Sequence, residues 1–223
     1  MLILATILAA VAAVQGARHV RHGSRSQWTV VWMLLCFLAQ MTILSLRGEM
    51  RASCPLSDTG EVLIFAAWSL TMFYMVVGSV YRLSLLGVFT APLVCFLLSI
   101  ALMPGLLDAS PERKTVVDGW RESHAAFSVL AYGALGLAAV AGSMFIVLNR
   151  QLKEAHMETG LFANLPPARD LNKVVERLLW LGFLLLTLGL ICGLVMQKSG
   201  ATNKHPCFSK SSFSFLIICD GLI

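Results

Sequence analysis

The segment His124–Leu148, HAAFSVLAYGALGLAAVAGSMFIVL, contains no Asp, Glu, Lys or Arg and is long enough to cross a bilayer. About 20 apolar residues in an α-helix span the hydrocarbon core. Because lipid offers no hydrogen-bond partner to the backbone, a single segment crosses the core only as an α-helix. The segment therefore predicts a transmembrane helix, and it decides the class to which the whole chain belongs.

Segments of the same kind lie on both sides of this one. Of the 223 residues, 57% are hydrophobic and 13% are charged, whereas about 25% of the residues in a soluble domain are charged. The predicted fold class is an all-α, polytopic transmembrane helical bundle of about six spans. These spans are Leu2–Gly16, Trp28–Leu46, Glu61–Tyr81, Leu83–Leu107, His124–Leu148 and Val174–Met196. The bundle occupies residues 1–197, and residues 198–223 form an atypical C-terminal tail rich in Ser, Lys and Phe.

Arg and Lys residues determine the predicted orientation of the bundle. They are more numerous after the first, third and fifth spans than after the second and fourth, and the richer side of a membrane protein faces the cytoplasm. The N-terminus is therefore predicted to face outward, with His124 at the outer end of the fifth span. Because topology accounts for the formal net charge of +5, we expect the lipid bilayer, and no nucleic acid, as a partner.

Small residues recur at four-residue intervals in the last two spans. Ala134, Ala138 and Gly142 share one face of the fifth span, and Gly189 and Gly193 share one face of the sixth. Small residues at this spacing let helices approach closely in lipid. Both sets therefore predict contacts between helices.

Ionisable residues inside the predicted spans are few, which argues against ion-coupled transport. One candidate for chemistry is WRESHAAFSVLAYGALG, Trp120–Gly136, in which Ser128 and Tyr132 follow His124 by four and eight residues. All three lie on one face of a helix. A neutral imidazole at a membrane boundary is a ready axial ligand for haem iron. The alternative is a solvated histidine at the end of a helix.

A second candidate is the stretch PLSDTGEVLIFAAW, Pro55–Trp68. Ser57 or Asp58 can cap a helix that starts near Glu61, and an acid is stabilised at a helix N-terminus by the macrodipole. Trp68 follows about two turns later on the same face as Glu61. The alternative is an ordinary helix start followed by an aromatic residue at the membrane interface.

Together these stretches resemble the cytochrome c assembly proteins, the CcsA/CcmC type of haem-handling membrane protein, and particularly its HemX-like branch. In a loop and the helix after it, the family typically shows the residue types found here at Pro55, Leu56, Ser57, Glu61, Phe65 and Trp68. The family also has a helix that is opened by an outer histidine and carries Ser and Tyr further on, as at His124. GFLLLTLGLICGLVM is similar to the helix leading to its haem-binding loop. The resemblance covers roughly residues 28–197.

The resemblance implies that the chain holds haem b transiently near the outer membrane face and presents it to apocytochrome c, whose cysteine thiols attack the haem vinyl groups. His124 would be an axial ligand of the iron, and the other implied haem-site residues are Glu61, Trp68, Trp120, Ser128 and Tyr132. A partner cytochrome c assembly subunit is also implied, so the chain would be at most one subunit of a haem-ligating cytochrome c synthase. The implied location is the bacterial inner (cytoplasmic) membrane, with multiple passes.

Two parts of the family pattern, a tryptophan-rich loop and a second outer histidine on a later helix, have no counterpart after the sixth span. We therefore expect a C-terminus that is truncated or altered. The alternative function is a HemX-like membrane regulator of tetrapyrrole and haem biosynthesis, with Arg150–Lys173 contacting a cytoplasmic partner. A third class is a small transporter or a scaffolding subunit without a cofactor.

Overall fold

The computed structural model describes residues 1–21, 27–81, 84–107, 119–153 and 168–201, and within these ranges the regular secondary structure is entirely helical. The predicted all-α bundle is therefore confirmed. Most of the predicted tail, residues 202–223, lies outside the described residues. The six helices are α1 (Leu2–Arg21), α2 (Gln27–Arg51), α3 (Thr59–Tyr81), α4 (Ser84–Ala101), α5 (Gly119–Lys153) and α6 (Ala168–Ala201).

Four of these helices, α2, α3, α5 and α6, are long and apolar enough to cross a membrane, judged over the described residues. The other two contain shorter apolar stretches, Leu2–Arg18 in α1 and Leu86–Ala101 in α4. Length and hydropathy thus agree with a helical membrane bundle. The outward N-terminus stays a prediction, because the structure contains no membrane.

Helix α3 lies at the centre of the bundle and α6 at its edge. In the most apolar part of each helix, 67% of the α3 residues are buried but only 17% of the α6 residues are. Helix α3 packs against α2, α4 and α5, while α1 packs against α2 and α4. Helix α6 packs against α5. Helix α5 therefore connects the central helix to the peripheral one.

Small residues bring the helices close together, as their spacing predicts, though not at every predicted position. Ala134 and Ala138 are buried in the core. A Cβ added at Gly133 would lie 2.8 Å from the Cβ of Ser69 on α3, which leaves no room for a side chain. Gly142 does not fit the prediction, because an added Cβ there would meet nothing within 4 Å.

Most predicted span ends differ from the helix ends in the structure. Three helices extend past their predicted spans, since α1 continues to Arg21, α5 runs from Gly119 to Lys153 and α6 runs from Ala168 to Ala201. The ends of α2 and α4 have clear physical reasons. Helix α2 continues past Leu46 to Arg51, because Arg47 and Arg51 in its last turns are paired inside the protein rather than exposed in a loop. Helix α4 ends at Ala101 instead of Leu107. Pro104 disfavours helical backbone just before it, and Gly105 has a left-handed φ of 88°. The segment after α4 then turns back over the start of α3.

Candidate functional site

A cluster of four charged residues, of which three are buried and Asp58 is partly exposed, joins the end of α2 to the start of α3. Glu61 is fully buried, and its Oε1 accepts hydrogen bonds from Nε of Arg47 at 2.8 Å and Nε of Arg51 at 2.7 Å. Oδ2 of Asp58 accepts from the Nη2 atoms of the same two arginines at 3.2 and 2.5 Å. Two positive and two negative charges therefore neutralise one another largely away from water, as buried charges require.

The local sequence explains why Glu61 reaches this position. Asp58 precedes α3, and its carbonyl oxygen accepts the first helical hydrogen bond, from the N–H of Val62 at 3.1 Å. Glu61 Oε2 in turn accepts from the N–H groups of Ser57 at 3.0 Å and Asp58 at 3.2 Å. A carboxylate three residues into a helix that bonds back to the N-cap N–H forms half of a capping box. Asp58, one of the two residues predicted as a cap, occupies the N-cap position, and its carboxylate pairs with Arg47 and Arg51.

Trp68 lies deeper in the same interface, about two turns further along α3. Its ring stacks on Phe37 of α2, with centroids 5.7 Å apart and planes at 19°, and it contacts Phe65 at 5.4 Å. Within the described ranges, Nε1 of Trp68 has no hydrogen-bond partner. Trp68 follows Glu61 by seven residues on α3, and Gln40 precedes Arg47 by seven residues on α2. Because α2 and α3 are antiparallel and Arg47 bonds Glu61, Gln40 lies level with Trp68. The Gln40 amide is also buried without a partner among the described side chains.

His124 lies in a different interface, between α5 and α6. Its Nδ1 is 2.7 Å from the carbonyl oxygen of Gly189, and the half-buried ring lies beside Gly193, where an added Cβ would be 3.0 Å from Nδ1. The hydroxyl of Ser128 donates to the carbonyl oxygen of His124 at 2.7 Å. The structure therefore groups His124 and Ser128 with the two predicted packing glycines of α6.

The two candidate regions lie at the same end of the bundle. Gly133 of α5 touches Ser69 of α3, and in the predicted topology these two helices, separated by one span, run in the same direction. Gly60 precedes Ser69 by nine residues, and His124 precedes Gly133 by nine residues. Both therefore lie about 14 Å from the contact along the helix axis. Nine residues also make two and a half turns, so His124 faces away from the side of α5 that meets α3.

The remaining predicted site residues have separate surroundings. Tyr132 is 60% exposed on the outside of the bundle, so it does not share the His124 contact with α6. Trp120 is half-buried one turn before His124. Glu61 and Trp68 pack between α2 and α3. Of the six predicted haem-site residues, His124 and Ser128 thus form a contiguous set, with Trp120 on the adjoining turn.

Sequence reasoning missed that Arg47, Arg51, Asp58 and Glu61 belong together. The predicted second span, Trp28–Leu46, leaves Arg47 and Arg51 in the outer loop that follows it, although their four-residue spacing places both on one face of a helix. Asp58 and Glu61, spaced by three, lie on one face of the next helix. The sequence thus contains two arginines at the end of one helix and two acids at the start of the next, with a short turn between them. This pattern indicates that the four charges can meet and neutralise one another.

His124 offers one nitrogen ligand to an iron atom. With Nδ1 against a carbonyl oxygen, the second nitrogen of a neutral ring, Nε2, carries the lone pair. Among the residues that the structure describes, no three His, Cys, Asp or Glu side chains converge on a shared metal position. The lone pair on Nε2 of His124 is a nitrogen donor of the kind that haem iron takes, and the described residues do not form a multi-ligand metal site.

Comparison with known proteins relates most of the chain to one family. A family model described as "Cytochrome C assembly protein" matches residues 56–200, well over half of the chain. This range contains Glu61, Trp68, His124 and both α6 glycines. The matched range thus covers the His124 region and the α3 half of the charged cluster, while Arg47 and Arg51 lie before it.

Several curated relatives carry the name cytochrome c biogenesis protein CcsA. The protein of Chlamydomonas reinhardtii is 27% identical over 166 residues, covering 71% of this chain and 45% of the relative. That of Nostoc punctiforme is 30% identical over 135 residues, covering 57% of this chain and 38% of the relative. That of Porphyra purpurea is 26% identical over 199 residues, covering 73% and 62%. The chain thus spans about half the length of these relatives. No solved structure matches the chain significantly.

Proposed function

The chain belongs to the cytochrome c assembly protein family, and on that premise we propose that it holds haem b transiently near the outer membrane face and presents it to apocytochrome c. It is a membrane protein of cytochrome c biogenesis. The observation that supports the finer proposal best is the contact of His124 Nδ1 with the Gly189 carbonyl oxygen at 2.7 Å. This contact orients the ring and leaves Nε2 for the iron.

When bound, haem supplies an iron that takes an imidazole nitrogen and vinyl groups that the cysteine thiols of apocytochrome c attack. The residues of this chain hold and orient the haem. His124 provides the nitrogen, and the Ser128 hydroxyl, bonded to the His124 carbonyl oxygen at 2.7 Å, occupies the space between the ring's turn of α5 and Gly189. Trp120, one turn earlier, would supply aromatic surface on the same side.

Glu61 and Trp68 contribute to the proposed site through the shape of the bundle end. The Glu61 carboxylate is satisfied by two arginines and two backbone N–H groups, so it fixes the turn between α2 and α3. Trp68 holds α2 against α3 through its stacking on Phe37. Both helices thereby keep a constant position level with His124. Tyr132, exposed on the surface of α5, is proposed to contact a bound molecule or the partner subunit.

The proposed partners are apocytochrome c and a second cytochrome c assembly subunit, with which the thioether bond would be formed. The proposed location is a bacterial inner membrane, with the Arg- and Lys-rich segments toward the cytoplasm. This orientation places His124 on the outer side, where it meets an exported apocytochrome.

The test is the haem content of the purified protein. In mild detergent the wild-type chain is expected to show a Soret band, and His124→Ala is expected to lower haem occupancy at least about tenfold. His156→Ala is the matched control, because His156 belongs to the predicted inner loop and its removal leaves the proposed ligand intact. A wild-type protein without haem, or a His124→Ala variant with undiminished haem, would overturn the proposal.

A further inference from the structure

The hydrogen bond at His124 determines which ring nitrogen carries the proton. A carbonyl oxygen only accepts, so the 2.7 Å contact between Gly189 O and His124 Nδ1 requires a proton on Nδ1. In the neutral ring the lone pair then lies on Nε2. A helical carbonyl oxygen has two lone pairs, and one can serve the imidazole while the other serves the helix. Helix α6 therefore sets the tautomer of a residue on α5.

The absence of side chains at two α6 positions makes this contact possible. A Cβ at Gly193 would lie 3.0 Å from Nδ1 and 3.2 Å from Cε1 of His124. A Cβ at Gly189 would lie 2.9 Å from the hydroxyl oxygen of Ser128 and 3.3 Å from its backbone nitrogen. Such distances are tighter than ordinary packing. Alanine at Gly193 would therefore press on the imidazole ring and turn it or move α6, whereas alanine at Gly189 would press on Ser128. Gly142 has open space instead.

We propose that Gly189 and Gly193 are positioning residues for His124: they let the α6 backbone accept the Nδ1 proton and so hold Nε2 ready as the ligating nitrogen. The role of Nε2 toward iron rests on the proposed function, whereas the tautomer does not. A ligating histidine that donates its other N–H to a carbonyl oxygen is fixed in orientation and becomes a more basic ligand. Loss of such a partner lowers metal affinity roughly 10- to 100-fold.

The first experiment needs no haem. Purified protein labelled with ¹⁵N at histidine is compared with His124→Gln, and the difference identifies the His124 ring signals among those of the five histidines. Wild-type protein is expected to show a neutral ring protonated at Nδ1. Gly193→Ala is expected to shift the ring toward the Nε2-protonated form, and Gly142→Ala to leave it unchanged. A wild-type ring protonated at Nε2 overturns the proposal even if Gly193→Ala does not fold.

The second experiment measures haem affinity and midpoint potential in the same variants. Gly193→Ala is expected to bind haem about tenfold more weakly and at a more positive potential, because a less basic imidazole favours ferrous iron. Haem absent from wild-type protein contradicts the proposed function and leaves the tautomer result standing. If His124→Ala loses haem but Gly193→Ala keeps the wild-type tautomer, haem affinity and midpoint potential, the positioning role is contradicted and the proposed function still stands.

Discussion

Glu61 shows how a single side chain can organise the end of a helix. The sequence predicted it as a helix start or a haem-site residue. In the structure its carboxylate accepts four hydrogen bonds, from two arginines and from two backbone N–H groups. Removing one member of a buried ionic cluster leaves the opposite charges without partners, so each member depends on the others.

We therefore expect Glu61→Ala to destabilise the protein severely. The change would remove a carboxylate that both Arg47 and Arg51 bond, at a cost of about 3–5 kcal/mol, which corresponds to a fall in the apparent unfolding temperature on the order of 10 °C. Thermal unfolding in detergent measures this fall in unfolding temperature. Glu49→Ala is the matched control, because Glu49 is an exposed acid on the same final turns of α2. Equal unfolding temperatures for the two variants would show that the cluster contributes no stability.

At the scale of the elements, helix α5 uses opposite faces for two purposes. Gly133 on one face meets Ser69 of α3, and His124 on the other meets Gly189 of α6. Close approach at Gly133 fixes the height of α5 relative to α3. Since both faces belong to one rigid helix, this packing also sets the height of His124 in the bundle.

Gly133→Ala is expected to lower stability by about 1–3 kcal/mol, the usual cost of overpacking a tight contact. Gly142→Ala, on the same helix with open space around the added methyl, should be neutral or slightly stabilising. Unfolding temperatures of the two variants provide the comparison. The double variant Gly133→Ala with Ser69→Gly should recover part of the loss, since the Ser69 Cβ lies 2.8 Å from the added methyl. If the double variant is no more stable than Gly133→Ala, the contact with Ser69 is not the cause of the lost stability.

At the scale of the whole molecule, most of the fold was predictable and the site was predictable only in part. A charge-free segment such as His124–Leu148 has one structural solution in lipid, which is why the helices were predicted well. The errors occur at Arg47 and Arg51, whose charges suggested a loop until their partners were known. The partner of His124 was not predictable, because four-residue spacing of Gly189 and Gly193 does not reveal which face of α5 they meet.

The predicted orientation of the bundle also belongs to this scale. In a variant without its native cysteines, a cysteine at exposed Ser57 should react with a membrane-impermeant maleimide added to intact cells. A cysteine at exposed Asn172, near the start of α6, should react only after the membrane is permeabilised. The opposite labelling pattern would reverse the topology and place His124 on the cytoplasmic side.

The most direct test of haem binding through His124 is chemical rescue of the missing imidazole. His124→Gly is expected to have little Soret absorbance per protein, and free imidazole should restore it, because the small ligand can occupy the space of the deleted ring. His156→Gly should keep wild-type absorbance with or without imidazole. Wild-type Soret absorbance in His124→Gly, or a loss that imidazole does not reverse, would contradict the assignment of His124 as the haem ligand.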